Sequence, residues 1–483
     1  MAVRRSVAWM VFGQGTLLVL QFIGSIVVAR LLGPRDMGIF AVAMAAVGVI
    51  GLMQALGLGS FLVRERDLTP DLIATAATVD LGISIVMAMG IAGLALLGGI
   101  LFHEPGVRDV LLVIAVVPVI GHFAFVPQAM IERDGDFRLM AIVRAASSAI
   151  GLIITIALAR AGYRYMALAY SQVANALITN IALNIIGRRH FKRRFSLRHW
   201  SRVARFGAQI FAIAGITQAA SRLMDLVLGR VQGLAALGLY SRASSNHAML
   251  WGSVHGVVGS VVFVDLARHR RDGIPLAPRY LQVLELMTGL MWPLLAGVAV
   301  LARPLVGLIY GPVWLGAAAP LSLLCIASVL LVSTTMTWEI FVVFEETARQ
   351  VRLEVIRTVA GTVLFVACCF YSLQAAAAAR VGEAVLAQYI YRPHLERLTG
   401  ATTREFQAVY WRSGLAALAA VTPAAVLMAV TGFRVDVGVP LLALVVATGG
   451  AGWLLALRAL DHAVYREFTI VARRFPPARV LAP

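Results

Sequence analysis

Charge is scarce in this chain. Only 14% of its 483 residues are Asp, Glu, Lys or Arg, while 60% are apolar. Soluble proteins carry about 25% charged residues, so a water-soluble fold of this size could not cover its surface. Lysine is almost missing: Lys192 stands alone among 42 basic residues, and the rest are arginine. A phosphate-binding P-loop needs Gly-Lys followed by Ser or Thr. Lys192 lies between Phe191 and Arg193, so no such ATP site exists. Cysteine is limited to Cys325, Cys368 and Cys369, all inside apolar stretches. They have neither disulfide-framework nor zinc-ligand spacing and read as small packing residues. His122, His247 and His255 are isolated, so neither a metal nor a cofactor is expected. These absences exclude secreted, fibrous and disordered classes and argue against a soluble catalytic domain.

What is present is apolar length, with a mean hydropathy of +0.85. About 20 apolar residues cross a bilayer core. That ruler gives fourteen spans, at 8–29, 38–62, 76–101, 109–131, 139–159, 166–187, 206–228, 235–264, 281–302, 316–343, 353–373, 375–391, 413–431 and 438–457. The expected fold is an all-α polytopic membrane protein with about 14 transmembrane helices. The break near Ser372–Gln374 is the least marked, and twelve or thirteen spans are the alternatives. The first stretch follows Arg4 and Arg5, lacks a small-residue cleavage site and is too long for a signal-peptide core, so it reads as a retained span.

The arginines orient the spans. With the N-terminus inside, cytoplasmic segments hold 30 basic residues, counting Arg357 in the first turns of span eleven with them, and outside loops hold 8, with Arg144, Arg222, Arg242 and Arg380 within spans. Positive residues favour the cytoplasmic side, so both termini are expected there. The loop Arg188–Arg205 is strongly basic and carries Phe191, Phe195 and Trp200. Anionic headgroups are its better partner; nucleic acid is not expected.

The chain contains itself twice. Phe12-Gly13 opens a span ending at Leu32-Gly33, and Gly38-Ile39-Phe40-Ala41 opens the next. Phe206-Gly207, Leu228-Gly229 and Gly238-Leu239-Tyr240-Ser241 repeat that pattern about 194 to 200 residues later. Six spans separate the copies, so both halves face the same way, a transporter architecture. The expected organisation is a six-helix lobe over 1–187, a basic linker over 188–205, a second lobe over 206–391, and two extra helices with a tail over 392–483.

Polar groups inside spans are costly and favour a bundle interior or wet cavity. Gln218, Arg222, Asp225 and Gly229 share one helical face by their spacing of four, three and four. Arg242, Asn246 and Ser253 form another stripe, Arg380 and Glu383 lie three apart, and Gln14, Gln21 and Ser25 share a face. Guanidinium groups stay ionised and bind phosphate bidentately, so the candidate substrate-binding set is Arg222, Arg242, Arg380, Gln218, Asn246, Gln14 and Gln21. Glu383 and Asp225 are the candidate ion-coupling acids. Each has a plainer reading: Arg222 and Asp225 neutralise each other, or Glu383 only partners Arg380. Asp80 and Glu339 read as interfacial anchors, and Asn175, Asn180 and Asn184 as glue between helices. Asp134-Gly135-Asp136 looks like an Asp-x-Asp metal clamp but falls in a seven-residue turn with no soluble domain beside it.

Three motifs carry a family resemblance. Ala29-Arg30-Leu31-Leu32-Gly33-Pro34 through Asp36-x-Gly38-Ile39-Phe40-Ala41 resembles the first-loop signature of Wzx-type polysaccharide flippases. These belong to the multidrug/oligosaccharidyl-lipid/polysaccharide (MOP) exporter superfamily. Asp225, Leu228-Gly229-Arg230 and Ala236-Leu237-Gly238-Leu239-Tyr240-Ser241-Arg242-Ala243 resemble the second-half signature, and Tyr310-Gly311-Pro312-x-Trp314 the loop after span nine. Arg35 stands where the family usually has an acid, and Phe263-Val264-Asp265 where it usually has Phe-Pro. The resemblance implies two lobes forming a V around a cavity, plus two C-terminal helices. It further implies alternating access that moves a polyprenyl-pyrophosphate oligosaccharide, a repeat unit for exopolysaccharide or O-antigen, from the cytoplasmic to the periplasmic leaflet. Membrane lipids, a proton or sodium gradient, and a polysaccharide polymerase with its export machinery are the implied partners.

Other classes fit less well. A drug or small-cation antiporter of the same superfamily wants a net acidic cavity, whereas the candidates here are three arginines against two acids. A glycan polymerase wants a long outside loop with catalytic side chains, and the longest here, Arg303–Leu315, has 13 residues. The chain is therefore not expected to be an enzyme.

Overall fold

The computed structural model describes the backbone of residues 2–56, 58–65, 67–102, 104–187, 195–198 and 200–474. It describes their side chains apart from 2–14, 16, 54–56, 97–102, 137, 202–217, 253–261, 264 and 470–474. Most of the basic linker and the side chains of Gln14 and Ser253 therefore lie outside the described residues.

Among the described residues every regular element is helical. They are α1 (Ala2–Leu31), α2 (Pro34–Ile50), α3 (Leu58–Arg64), α4 (Pro70–Phe102), α5 (Pro105–Ile114), α6 (Val117–Arg133), α7 (Phe137–Arg160), α8 (Tyr165–Ile186) and α9 (Trp200–Val231). There follow α10 (Leu234–Arg271), α11 (Leu276–Tyr310), α12 (Ala318–Val332), α13 (Thr337–Val343), α14 (Thr347–Cys369), α15 (Leu373–Thr399), α16 (Thr403–Val430), α17 (Val439–Ala459) and α18 (Ala463–Arg474). Within the described residues nine helical stretches are long and apolar enough to cross a bilayer, besides a shorter apolar one at Leu17–Leu31. The chain is an all-α polytopic membrane protein.

Helix ends follow local chemistry. Pro34 and Pro105 sit in the first turns of α2 and α5, where a missing N–H costs nothing. The weak break between spans eleven and twelve is a real one: Ser372 caps α15 by accepting from the Ala375 amide at 3.0 Å. Ser372→Ala is expected to cost about 1 kcal/mol, read as a lower thermal midpoint of the purified protein. Asp136 caps α7 in the same way, accepting from the Leu139 amide at 3.1 Å after Gly135 at φ +74°. Asp134-Gly135-Asp136 is thus a capping turn. Three spans expected to be single rods are broken. A 3-10 helix at Gly51–Leu56 separates α2 from α3. Pro118, which cannot donate to the Ile114 carbonyl, follows the break between α5 and α6. Met336, at φ 59°, lies between α12 and α13.

The helices form two compact units, residues 1–241 and 242–483. In the first, α7 packs along α1 and α8, α6 along α4 and α8, and α9 across α2. Pro127 inside α6 has no N–H for the Phe123 carbonyl; Asn184 of α8 donates to that oxygen at 3.0 Å, and Asn180 donates to the Ile120 carbonyl. Arg35 pairs with Glu104 at 2.6 Å, and Arg164 with Asp36 at 3.0 Å. These pairs tie the start of α2 to those of α5 and α8.

The two copies of the internal repeat meet inside this unit. A Cβ on Gly38 would lie 1.7 Å from the Leu234 carbonyl oxygen, and one on Gly238 would lie 1.9 Å from that of Pro34. Pro34 and Leu234 are equivalent in the repeat, as are Gly38 and Gly238. The starts of α2 and α10 therefore cross by a reciprocal contact, backbone against backbone. Only a residue without a side chain allows that approach.

In the second unit α11 packs on α12 and α16, α12 on α15, α14 on α15, and α16 on α17. The two C-terminal spans, outside the repeat, thus become part of this unit's body. His462, in the turn between α17 and α18, is fully buried. Its Nδ1 accepts from the Val464 amide at 3.2 Å, and its Nε2 donates to Ser413 Oγ at 3.1 Å. Burial first, then Arg412 and Arg466, push its pKa down to about 4, so it stays neutral at pH 7 and keeps both bonds. Elsewhere in this unit, hydrogen bonds from Arg397 and then Arg349 hold the Glu346 carboxyl below its usual range.

Candidate functional site

The sequence-derived candidates divide between the two units. In the first, Gln21 on α1 and Gln218 on α9 are exposed. Arg222 lies across Gly48 of α2, where an added Cβ would meet its Nε at 2.4 Å. Glycine at 48 is what lets the guanidinium stem run flat over α2. The Arg222 side chain is 34% exposed, and its nearest acid is Asp225, Nη1 to Oδ2, at 3.9 Å. That distance is too long for a hydrogen bond. The buried Arg222 Nε has no hydrogen-bond partner among the described residues. Such a group is expensive to leave unpaired, which makes Arg222 a donor with spare capacity.

In the second unit Arg242 and Asn246, one turn apart on α10, converge on the Tyr-Gly-Pro-x-Trp motif. The Arg242 guanidinium lies 5.3 Å from the Tyr310 ring centre and 5.4 Å from that of Trp314. Tyr310 Oη donates to Asn246 Oδ1 at 2.7 Å. Arg242 is 6% exposed and stacks on aromatic faces, a desolvated cation–π arrangement.

Arg380 and Glu383 belong to a larger ionic group between α14 and α15. Glu383, 5% exposed, takes Arg380 on one oxygen and Arg357 on the other. Arg357 also binds Glu354, which accepts a hydrogen bond from Tyr391. A Cβ on Gly361 would meet Glu383 Cδ at 2.5 Å, so glycine admits the carboxylate against α14. Two guanidinium and two carboxylate groups balance, as buried charges must.

Two features went unread in the sequence. Glu354 and Arg357 are three residues apart on one helix, a visible signal, but both lie in the first turns of span eleven, where Arg357 counts with the cytoplasmic residues. Asp80 and His122 are 42 residues apart, on α4 and α6, and lie 2.7 Å from each other. Neither shows any local spacing. Among the described residues no group of three or more His, Cys, Asp or Glu is placed to hold a metal ion.

Comparison with known proteins fits these motifs. Residues 27–319 match the family described as "Polysaccharide biosynthesis protein". The chain is 25% identical to the succinoglycan biosynthesis transport protein ExoT of Rhizobium meliloti (strain 1021) over 327 residues, covering 67% of this chain and 66% of that one. It thus spans about two thirds of that relative. Its fold is similar to that of the lipid II flippase MurJ in an inward closed conformation, with a TM-score of 0.73 at 13% identity, covering 94% of this chain and 99% of that one. It is also similar to an inward-facing multidrug resistance MATE family transporter of the MOP superfamily, with a TM-score of 0.61 at 16% identity, covering 80% and 96%.

Proposed function

This chain belongs to the polysaccharide biosynthesis protein family, and from that premise we propose that it is a lipid-linked oligosaccharide flippase of the bacterial inner membrane. It would work by alternating access with both termini in the cytoplasm, moving a polyprenyl-pyrophosphate repeat unit to the periplasmic leaflet. The reading rests most on Arg222. A guanidinium inside a membrane span, with an unpaired buried Nε and no acid in hydrogen-bond range, suits a phosphate that arrives and leaves. Glycan hydroxyls and pyrophosphate cannot cross hydrocarbon unpaired, and the exposed Gln218 and Gln21 amides offer sugars replacement hydrogen bonds. Arg242 and Arg380, held by aromatic rings and by Glu383, supply positive potential from fixed positions. Moving a charge of about −2 outward across 100 mV, inside negative, releases about 4 to 5 kcal/mol, enough to favour export. Asp225 and Glu383 are the acids available on these same helices for ion coupling. The relatives named as transporters and flippases support a carrier over an enzyme.

Arg222→Ala is expected to lower flipping at least about tenfold, the worth of one lost charge-assisted hydrogen-bond pair, with an unchanged thermal midpoint. Arg222→Lys keeps the charge but not the fork and should fall between. Deleting the gene tests the function as a whole: a repeat unit accumulating on the cytoplasmic leaflet is expected. Sensitivity to drugs without that accumulation would overturn the reading.

A further inference from the structure

A slot of about 830 Å³ opens on the second unit, among α11, α12 and α16. Ligand pockets commonly fall between about 300 and 1,000 Å³. Small side chains leave this one open: Ala296 and Ala299 on α11, Ala318 and Ala319 on α12, and Ala425 on α16. The polar residues of its wall are Ser322, Gln374 and Arg303. Ser322 Oγ donates to the Ala299 carbonyl at 2.7 Å, so the free polar groups are the other two. An apolar void stays dry and costs its lining the dispersion contacts of one side. In a bilayer an acyl chain is what can fill it. Along α12 the wall runs from Ala318 to Val329, about 16 Å at 1.5 Å per residue. That is close to half of a hydrocarbon layer about 30 Å thick, the reach of a chain from one leaflet.

Both free polar groups stand at one end of the slot. Gln374 is the second residue of α15, and Phe433, also in the wall, lies in the turn just after α16 ends at Val430. Gly307 places Arg303 at that same end: an added Cβ there would meet Val435 of the turn at 2.5 Å, and Arg303 precedes Gly307 by one turn of α11. The membrane-crossing stretch Pro312–Val343 begins here, and Thr403–Val430 finishes here. Tyr371, 83% exposed, stands three residues before Gln374, and tyrosine favours the boundary between hydrocarbon and water. Arg303 and Gln374 are themselves exposed. Among the described residues neither side chain is held by an ion pair or a hydrogen bond. Arg434, beside Phe433, is a second exposed cation, and the one acid of that turn, Asp436, pairs with neither arginine among the described residues. The slot is thus apolar along its length and cationic at its mouth.

We propose that this slot binds one phospholipid with an anionic headgroup. One acyl chain lies along α12, against the alanines of α11 and α16, and the phosphate sits on Arg303. A guanidinium grips phosphate oxygens in pairs, and the Gln374 amide donates to a headgroup or ester oxygen. The lipid's other chain stays in the leaflet. Free phosphate would leave the apolar length empty, and a lipid without phosphate would leave Arg303 unanswered.

The test is native mass spectrometry of the full chain, stripped of lipid in detergent and titrated with phosphatidylglycerol or with diacylglycerol of the same chains. Phosphatidylglycerol is expected to bind at least about tenfold more tightly, the worth of a charge-assisted hydrogen bond, and inorganic phosphate at equal concentration is expected not to displace it. Arg303→Gln should bring phosphatidylglycerol down to the level of diacylglycerol. Ala319 is exposed, so Ala319→Phe can turn its ring into the slot without disturbing the fold, and it should weaken both lipids at least about fivefold while eluting as folded protein. Equal binding of the two lipids by the unaltered chain overturns the proposal, as does phosphatidylglycerol binding left unchanged by Arg303→Gln or by Ala319→Phe. A polyprenyl phosphate that displaces phosphatidylglycerol at equal concentration would give the slot to the transported lipid and overturn the proposal too, while leaving the flippase reading intact.

Discussion

Gly38→Val and Gly238→Val are each expected to abolish transport and to lower the thermal midpoint of the purified protein. The added Cβ would fall 1.7 Å from the Leu234 oxygen in one case and 1.9 Å from the Pro34 oxygen in the other. No rotamer escapes this, because the obstacle is a carbonyl and the new atom is the Cβ itself. The starts of α2 and α10 must separate by more than 1 Å to reach normal contact, as rough geometry requires. Overpacking of this kind costs about 1–3 kcal/mol, occasionally more, and two facing backbones place it at the upper end. The double variant should cost less than the sum, since one separation relieves both clashes and neighbouring sites do not add. Gly59 in α3 has open space around its Cβ position, so Gly59→Ala is the control, with a midpoint unchanged or slightly raised. Equal midpoints for Gly38→Val and Gly59→Ala would refute the crossing.

Glu383→Ala is the second substitution with a large expected effect, a loss of about 3–5 kcal/mol. It removes the carboxylate shared by Arg357 and Arg380, leaving guanidinium charge in a closed site. Glu383→Gln should lose less, since the amide oxygen still accepts. Arg380→Met combined with Glu383→Met removes one charge of each sign, leaves Arg357 on Glu354, and should regain most of the stability. Thermal unfolding in detergent ranks the three variants. If the paired variant is stable yet flips poorly, Arg380 serves transport; if it is stable and active, Arg380 and Glu383 only balance each other.

Much of the fold could be read from apolar length, because a bilayer imposes one ruler on every span. Ser372 marks why even the weakest boundary was legible: a serine followed by a helix is a cap whatever the membrane does. The breaks at Gly51–Leu56 and Met336 were not, since the flanking residues are as apolar as those of an intact rod and hydropathy does not sense a backbone turn. The candidate site was legible where partners are close in sequence. Arg222 and Asp225, Arg242 and Asn246, and Arg380 and Glu383 each share a helix face. Partners on other helices were not: nothing in the spacing tells Arg242 that it will stack on Tyr310 and Trp314, Glu383 that Arg357 will take its second oxygen, or Asp80 that His122 is its neighbour. Arg35 is instructive in the opposite sense. Its basic side chain departs from the family pattern, and the structure answers with Glu104 at 2.6 Å.

The reciprocity of the crossing also bears on descent. Gly38 meets Leu234 and Gly238 meets Pro34, the same contact made twice at places 200 positions apart. This is the arrangement of a two-fold dimer, in which one surface patch serves both subunits. A forerunner of half the length, pairing with its own copy, would have needed a single glycine to make both contacts at once. Any change there would have been felt twice. In a single chain that demand is relaxed and each side can vary alone: Pro34 answers to Leu234 and Phe40 to Tyr240, while the glycines at the junction are alike.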